Sequence, residues 1–588
     1  MGDSRRSRYF VAAVVCLSVV LGGWLRLSGL DAKSIIHTEV YVPGVRLPEG
    51  VSQPRERLTA AQVLTGTFSS DTHPPGYYLM MLPWTRRMGT SLRALRLPSA
   101  LLGTACIPLV YVLGALTGAP VAGAGAAALL AFSGPQVFWS QVARMFALAC
   151  FLGLATTVLL FLIARGAPHR GMLITVYAVL LLAGVATHVF FWPLFATHMI
   201  WAFGNAWGRR ELPDVCRAQL FALVLGSPLI AFAAYQRGTT VAPLSSNGLL
   251  YLAGFVSFAF ALPSSQSGFF PSAVPFTGTA LSWAVRGLVG LIGVFLFISG
   301  LRHLWRSPSN SRIFPEPSSG RRFWHVAWII AGVAGTLEII FFVYMTRYIV
   351  GQEIHKTIKT TKFLSVMPLA LTGVALLLDR KWASLPPPGS WKRFVDGERA
   401  LAALLAIGPF VLLAAFSQVR PLLNERGLVF AAPYLLLLLA VGLVELRRKV
   451  WIAVLSPALV MICAASLAFY RPMTGGPGDY GQLATAVKAE FQSSDLVFIQ
   501  KEWYATPVLY YLYDEHYHLV GRSPEEYALA CAQNPTARVW VLLPHDSDAS
   551  DEMRTALADY EPIKSVVVPH GKAILYKRIS KGAEMVRP

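Results

Sequence analysis

The chain has 588 residues, of which 55% are hydrophobic and only 14% are charged. A soluble protein usually carries about 25% charged residues, so this chain has too few charges to cover the surface of several soluble domains. This composition, with a mean hydropathy of +0.52, excludes a soluble enzyme, a disordered chain and a collagen-like protein, and it indicates a polytopic membrane protein.

The formal net charge of +20 is unevenly distributed along the chain. The segment from Arg471 to Pro588 holds 12 basic and 15 acidic residues, so the basic excess belongs to the apolar part that precedes it. There the Lys and Arg residues stand between apolar runs, where such residues mark cytoplasmic loops. A nucleic-acid-binding protein would gather them on one polar face, so we expect no nucleic-acid partner.

Thirteen apolar runs approach the length of about 20 residues that crosses a bilayer. These runs lie near Tyr9–Gly29, Leu97–Leu116, Pro120–Phe138, Met145–Ala164, Met172–Thr187, Phe190–Gly204, Arg217–Tyr235, Ala280–Gly300, Trp324–Met345, Phe363–Leu378, Ala400–Phe416, Gly427–Val444 and Val450–Phe469. The first run follows three arginines and has no small-residue cleavage site, so we predict an uncleaved anchor with a cytoplasmic N-terminus. Five basic loops then fall in the cytoplasm, and the odd number of spans places the C-terminal segment outside.

Two apolar segments are too short to count as spans. Pro74–Met88 is one of them, and counting it would place every later basic loop on the outer side. We therefore predict a re-entrant or juxtamembrane helix within a first outer loop at 30–96. Tyr251–Leu262 is interpreted in the same way within a later outer loop.

The sequence pattern changes after about Pro472. Short helical and strand patterns alternate near Tyr480–Phe491, Asp495–Gln500, Tyr504–Tyr513, Pro524–Cys531, Arg538–Leu543 and Ser565–Val568. Such alternation predicts a small α/β domain. We therefore divide the chain into a mainly α transmembrane domain at 1–470 and an extracytoplasmic α/β domain at 471–588.

The predicted outer loops carry acidic residues first and basic residues later. The first loop includes Glu39 and Asp71, and later loops include Arg144, Lys356 and Arg426. A carboxylate can take a proton from an acceptor hydroxyl or hold a metal that activates it. Arg and Lys bind phosphate, and a phosphate that joins a lipid to a sugar lies at the headgroup level, where these basic residues are expected.

Several short motifs follow one another in a characteristic order. After Glu39 these are Asp71-Thr-His73-Pro-Pro-Gly-Tyr-Tyr, LRLPSALLG at Leu95–Gly103, SQVARMF at Ser140–Phe146, a Thr187-His188 turn, and Arg426 ahead of Pro433. In this order the chain resembles the GT-C glycosyltransferases, in the bacterial branch of the protein O-mannosyltransferase and aminoarabinose transferase relatives. The resemblance extends over roughly the whole chain and is strongest at 71–146.

The resemblance implies transfer of a sugar from a polyprenyl-phosphate donor to an acceptor hydroxyl, with inversion, at the outer face of the bacterial inner membrane. The acceptor class stays open between protein, lipid and glycan. The family's acidic pair in the first loop is usually Asp-Glu, whereas this chain has Thr38-Glu39. Glu39 then serves as the base, Asp71 shares that role, or the activity has been lost.

Each candidate site residue also has an ordinary structural explanation. Glu39 would be a solvated loop carboxylate, Asp71 a helix cap, and His188 a residue of the interfacial aromatic belt. Basic residues beside spans reach for the interface or attract anionic headgroups without any catalytic role. The candidates for binding substrate or phosphate are His73, Arg96, Arg144, His188, Lys356, Lys359 and Arg426.

A divalent metal and two other functions remain open at this stage. Glu39, Asp71 and His73 would offer metal ligands. A separation of 32 positions between Glu39 and Asp71 is not a spacing typical of metal ligands. We expect no other cofactor. The first alternative function is a transporter or lipid flippase, but Glu338 is the only clear acidic residue within a predicted span. The second is a catalytically inactive scaffold with an outer binding domain. This alternative stays open because Thr38 replaces the aspartate that the family usually has.

Overall fold

The computed structural model contains many helices and one small sheet. It describes residues 2–46, 58–69, 73–207, 209–235, 291–303, 320–349, 357–385, 398–419, 429–446, 453–459, 467, 480–499, 502–512, 518–520, 524–544, 549–568 and 571–579. A short 3-10 helix, His37–Tyr41, follows the first α-helix.

The helices before residue 450 occupy most of the apolar runs. They are α1 (Gly2–Leu27), α2 (Ala60–Ser69), α3 (Gly76–Met88), α4 (Leu92–Leu116), α5 (Pro120–Phe132), α6 (Gly134–Ser140), α7 (Phe146–Ala164), α8 (Arg170–Thr187), α9 (Phe191–Ala206), α10 (Asp214–Tyr235), α11 (Leu291–His303), α12 (Arg321–Ile349), α13 (Thr357–Lys381), α14 (Glu398–Val419) and α15 (Ala432–Glu445).

Among the described residues, six helices are long and apolar enough to cross a membrane. The pair α5 and α6, bent by 62°, would make a seventh. A multi-pass membrane protein follows from these helices, whereas the number thirteen and the orientation in the membrane stay predictions. The helix α3 is separate and short, in agreement with the juxtamembrane interpretation, and Tyr251–Leu262 lies outside the described residues.

The bend between α5 and α6 has a local cause. Pro135 has no N–H to donate to the carbonyl of Ala131, so the helix cannot continue regularly. The buried Arg26 guanidinium donates instead to Ala131 O at 3.0 Å and to Leu130 O at 2.9 Å. Because a bilayer offers no water for such carbonyls, this arginine stabilises the break and fixes α1 against it.

Close helix contacts depend on small residues at particular positions. A Cβ added to Gly114 of α4 would lie 2.4 Å from the Cα of Gly123 in α5. A Cβ on Gly103 would lie 2.0 Å from the hydroxyl of Ser140 at the end of α6. Small residues let membrane helices approach backbone to backbone, and here they bring α6 against the middle of α4 and α5 against its end.

The C-terminal segment contains a five-stranded sheet in the order β2-β1-β3-β5-β4. Its elements are α16 (Tyr480–Lys488), β1 (Leu496–Ile499), α17 (Glu502–Tyr511), β2 (His518–Val520), α18 (Pro524–Gln533), β3 (Val539–Pro544), α19 (Asp551–Ala556), β4 (Tyr560–Val568) and β5 (Gly571–Arg578). The first three strands of that order are parallel, and β5 pairs antiparallel with both β3 and β4. Whether 471–588 is a separate outer domain stays a prediction.

Alternate residues of β3 supply two apolar layers of this sheet. Trp540 and Leu542 pack on one face, and Val541 packs on the other, as the period of two in a strand requires. The buried Asp495 accepts two hydrogen bonds from Arg538, at 2.9 and 2.7 Å, and one from the Trp540 indole at 3.2 Å. These bonds fix the start of β1 against the start of β3.

A buried charge cluster joins α10, α12 and α13. Arg217 of α10 donates to Asp379 at 3.1 Å and to Asp214 at 3.3 Å. Arg321 and His325 of α12 contact the same Asp379 carboxylate at 3.1 and 3.0 Å. The cluster gathers residues from segments predicted to be cytoplasmic at one end of the helix bundle.

We expect Asp379→Ala to lower the stability of the fold by about 3–5 kcal/mol, because Arg217 would remain buried without a main acceptor. Thermal unfolding of the detergent-purified protein, followed by tryptophan fluorescence, measures the change. The control is Asp551→Ala, whose side chain is 96% exposed and should leave the midpoint unchanged. Equal midpoints for both variants would contradict this role of Asp379.

Candidate functional site

The centre of the site is an ion pair between Arg96 and Glu39. Arg96 Nε donates to Glu39 Oε1 at 2.9 Å, and Arg96 Nη2 donates to Oε2 at 2.6 Å. Both side chains are buried, at 3% and 0% exposure. The parallel pair of bonds is the geometry in which Arg binds a carboxylate most strongly.

Arg96 also binds the chain that leads from α1 into the first loop. Its Nη1 donates to Leu30 O at 2.8 Å and to Lys33 O at 2.9 Å, and its Nη2 donates to Ser34 O at 2.8 Å. These bonds, with the two to Glu39, use all five N–H groups of the guanidinium. Arg96 is therefore the residue around which this part of the loop is folded.

Glu39 is equally well occupied. Besides the two bonds from Arg96, its Oε1 accepts from Ala143 N at 2.7 Å and its Oε2 accepts from Ile36 N at 3.1 Å. A carboxylate has about four lone-pair positions, so its accepting capacity is filled. The structure places Glu39 in a buried network. The alternative explanation, a solvated loop carboxylate, would require an exposed side chain.

The bond from Ala143 positions the next basic candidate, Arg144, in the turn between α6 and α7. Arg144 Nη1 donates to the backbone oxygen of Thr38 at 3.1 Å and to the Tyr78 hydroxyl at 2.7 Å. The Gln141 side chain anchors the same turn by donating to Leu25 O at 2.8 Å. Arg144 is 4% exposed, so its charge lies within the protein beside the first loop.

His188 lies between α8 and α9 and packs near Arg144. Its ring contacts Phe146, with ring centroids 5.5 Å apart, and stacks with His73 at 6.2 Å. Burial and the charge of Arg144 lower the pKa of His188 to about 3, so the ring is neutral at pH 7. Its Nδ1 accepts from Phe190 N at 3.2 Å, which leaves the proton of the neutral ring on Nε2.

Five of the sequence-predicted site residues therefore form one contiguous group at one end of the bundle. Hydrogen bonds join Arg96 to Glu39, Glu39 to Ala143, and Arg144 to Thr38. His188 packs on Phe146, two residues beyond Arg144, and stacks with His73. Of the other candidates, Asp71, Lys356 and Arg426 lie outside the described residues, and Lys359 belongs to α13 but its side chain is not described.

The described residues contain no group of three or more His, Cys, Asp or Glu side chains placed to hold a metal ion. Since Asp71 is outside them, the predicted set of Glu39, Asp71 and His73 is not tested as a whole. Glu39 itself does not fit a ligand role in this arrangement, because Arg96 and two backbone amides occupy both of its oxygens.

Two sets of buried polar contacts were not expected from the sequence. One is the hydrogen bond that Arg144 donates to the Tyr78 hydroxyl. The other is a chain of hydrogen bonds inside the bundle that joins five helices. It runs through Gln219, Tyr177, His198, Thr157 and Tyr434. No sequence signal distinguishes these residues, since they lie far apart in the chain and within or beside apolar runs.

No protein-family model matches the chain, and no curated protein sequence matches it either. Among solved structures, the chain is similar to ArnT from Cupriavidus metallidurans in the apo state, at 13% identity and a TM-score of 0.40 over 97% of this chain and 98% of that chain. The same protein bound to undecaprenyl phosphate is similar at 12% identity and a TM-score of 0.38, with coverage of 97% and 98%.

The oligosaccharyltransferase of Archaeoglobus fulgidus, in complex with Zn and sulfate, is similar at 12% identity and a TM-score of 0.40, over 96% of this chain and 73% of that chain. Likeness at this level does not establish a common reaction, which has to be argued from the site residues.

We expect Arg96→Lys to loosen the first loop, because one ammonium group cannot replace five directed N–H bonds. Trypsin cleavage after Lys33, followed by mass spectrometry under native conditions, should become about tenfold faster or more. The matched control is Arg93→Lys, an exposed residue one helical turn away on α4. Cleavage at the wild-type rate in Arg96→Lys would show that the ion pair does not hold the loop.

Proposed function

We propose that this protein transfers a sugar from a polyprenyl-phosphate donor to an acceptor hydroxyl at the outer face of the bacterial inner membrane. The supporting observation is the contiguous group formed by Glu39, Arg96, Arg144, His188 and His73 at one end of the helix bundle. In this proposal the N-terminus is cytoplasmic, the C-terminal segment is outside, and the acceptor is a protein, a lipid or a glycan.

Arg144 and His188 are the groups that we assign to the donor phosphate. Arg144 supplies a fixed positive charge, held by Thr38 and Tyr78. His188 supplies a neutral Nε2–H donor, and no hydrogen-bond partner of Nε2 is found among the residues that the structure describes. Donors fixed before the reaction stabilise the negative charge of a departing phosphate without a reorganisation cost.

In the proposed reaction the acceptor hydroxyl attacks the anomeric carbon of the sugar. The bond from that carbon to the phosphate oxygen breaks, the polyprenyl phosphate leaves with the electron pair, and the hydroxyl proton passes to a carboxylate of the first loop. A single in-line displacement of this kind inverts the anomeric configuration. Arg144 and His188 would then hold the leaving polyprenyl phosphate.

We assign the proton acceptor to Asp71 ahead of Glu39. Glu39 would have to give up a hydrogen bond from Arg96, Ala143 or Ile36 before it could take a proton. The same bonds suit a positioning role, in which Glu39 ties the first loop to the turn that carries Arg144. No step of this proposal passes through a metal ion, since Glu39 is already occupied.

The transfer itself is tested with purified full-length protein and polyprenyl-phosphate mannose or polyprenyl-phosphate aminoarabinose, each with a labelled sugar. Membranes of the native host supply the acceptor, and the release of free polyprenyl phosphate is measured. We expect Arg144→Ala to reduce the rate by about 100-fold, since it removes a charge that stabilises the leaving group.

The control for this assay is Arg87→Ala, which removes an exposed arginine of α3 and should leave the rate unchanged. Absence of release from both donors in the wild type would overturn the proposed function for these sugars. A wild-type rate in Arg144→Ala would overturn the assignment of Arg144 to the phosphate.

The two carboxylates are distinguished by combining turnover with loop order. Asp71→Asn should lower kcat by about 100-fold or more while trypsin cleavage after Lys33 stays at the wild-type rate. Glu39→Gln should lower turnover and also speed that cleavage, because an amide places a donor against Arg96. Glu56→Gln, another carboxylate of the predicted first loop, is the control. Normal turnover in Asp71→Asn would exclude Asp71 as the base.

A further inference from the structure

The C-terminal segment contacts the candidate site through the end of α17. The Tyr511 hydroxyl accepts a hydrogen bond from Ile35 N at 2.7 Å, and the Tyr510 hydroxyl donates to Thr90 O at 2.8 Å. At the start of α16, Gly481 N donates to Ser34 Oγ at 3.1 Å. These bonds join residues that are 420 to 476 positions apart in the sequence.

The packing of the two tyrosines supports a lasting contact. Tyr511 packs against the apolar core of the helix bundle and also against the core of the C-terminal sheet, so it bridges the two. Tyr510 lies edge-on to Tyr511, with ring centroids 5.1 Å apart. Burial raises the pKa of Tyr510 to about 12 and also raises the pKa of Tyr511, so both hydroxyls keep their protons at neutral pH.

Tyr511 binds the chain between two residues that contact the ion pair. Ser34 O accepts from Arg96 Nη2 at 2.8 Å, and Ile36 N donates to Glu39 Oε2 at 3.1 Å. Ile35, whose N–H binds Tyr511, lies between them. This hydrogen bond fixes the Ser34–Ile35 peptide, whose carbonyl binds Arg96, and so restrains the next peptide, whose N–H binds Glu39.

We propose that Tyr511 is a positioning residue for the candidate site. By holding residues 34–36, it keeps the first loop in the conformation in which Ser34 binds Arg96 and Ile36 binds Glu39. The C-terminal segment therefore contributes to the structure of the site. The kinetic consequence of this inference rests on the proposed glycosyl transfer, whereas the structural consequence does not.

The structural consequence is tested by amide hydrogen exchange of the full-length protein carrying Tyr511→Phe. This variant keeps the ring and its packing but removes the acceptor of the Ile35 N–H. We expect exchange in the peptides that cover residues 34–41 to become about fivefold faster or more. Tyr576→Phe, a half-buried tyrosine of β5 in the same segment, should exchange like the wild type there.

A double substitution separates a specific contact from a general loss of stability. The Ser34 hydroxyl accepts from Gly481 N at 3.1 Å and lies with the Tyr511 ring beside Gly481, and the Ser34 side chain lowers the pKa of Tyr511, so the two side chains interact. Tyr511→Phe combined with Ser34→Ala should accelerate exchange at 34–41 by less than the product of the separate effects. If the acceleration in the double variant equals the product of the two separate accelerations, the two side chains act independently, which contradicts the inference.

The kinetic consequence is a fall in kcat without a matching change in the donor KM. Tyr511 touches residues 34 and 35, whereas Arg144 is also held by Tyr78 and His188 lies between α8 and α9. Donor binding should therefore stay within about twofold while kcat falls about tenfold. Wild-type exchange at 34–41 in Tyr511→Phe would overturn the inference. Suppose that exchange is faster in Tyr511→Phe but the wild type shows no detectable transfer. That result would support the positioning role of Tyr511 and would count against the proposed function only.

Discussion

One end of the helix bundle depends on the burial of one ion pair, Arg96 with Glu39. Removing two charges from water costs several kcal/mol for each ion, and attraction between them offsets this only when the remaining donors and acceptors are also bonded. Here three loop carbonyls and two backbone amides complete the pair. Because neither side chain can be satisfied alone, the first loop, the start of α4 and the turn before α7 have to assemble together.

The sequence predicts the presence of the helices better than it predicts the residues at which they begin and end. The apolar run predicted at Leu97–Leu116 is α4, but the helix begins at Leu92, because Ser91 caps it and pairing buries Arg96. In the C-terminal segment, the strand pattern at Asp495–Gln500 corresponds to β1. The strand β2 has only three residues, too few to show an alternation of apolar and polar residues. In β5 the apolar residues at 573–576 are consecutive, so the sequence does not show the alternation in burial that the strand has.

The candidate site is a different case, because motif order identified its members but not their contacts. Residues 57 positions apart, such as Glu39 and Arg96, have no local signature of pairing. The Thr38 departure is informative in this light: Arg144 binds the backbone oxygen of Thr38, an atom that every residue type supplies. This contact therefore does not depend on which side chain stands at position 38.

The distribution of polar groups bears on the choice between an enzyme and a transporter. Ionisable residues inside a membrane usually mark an ion or substrate pathway. The buried chain of Gln219, Tyr177, His198, Thr157 and Tyr434 contains no carboxylate, lysine or arginine, and its members bond to one another across five helices. Such a chain fixes helix register, whereas the described ion pairs of the bundle gather near its two ends. Fixed charge near one end and a rigid interior suit chemistry at a surface better than passage through the bundle.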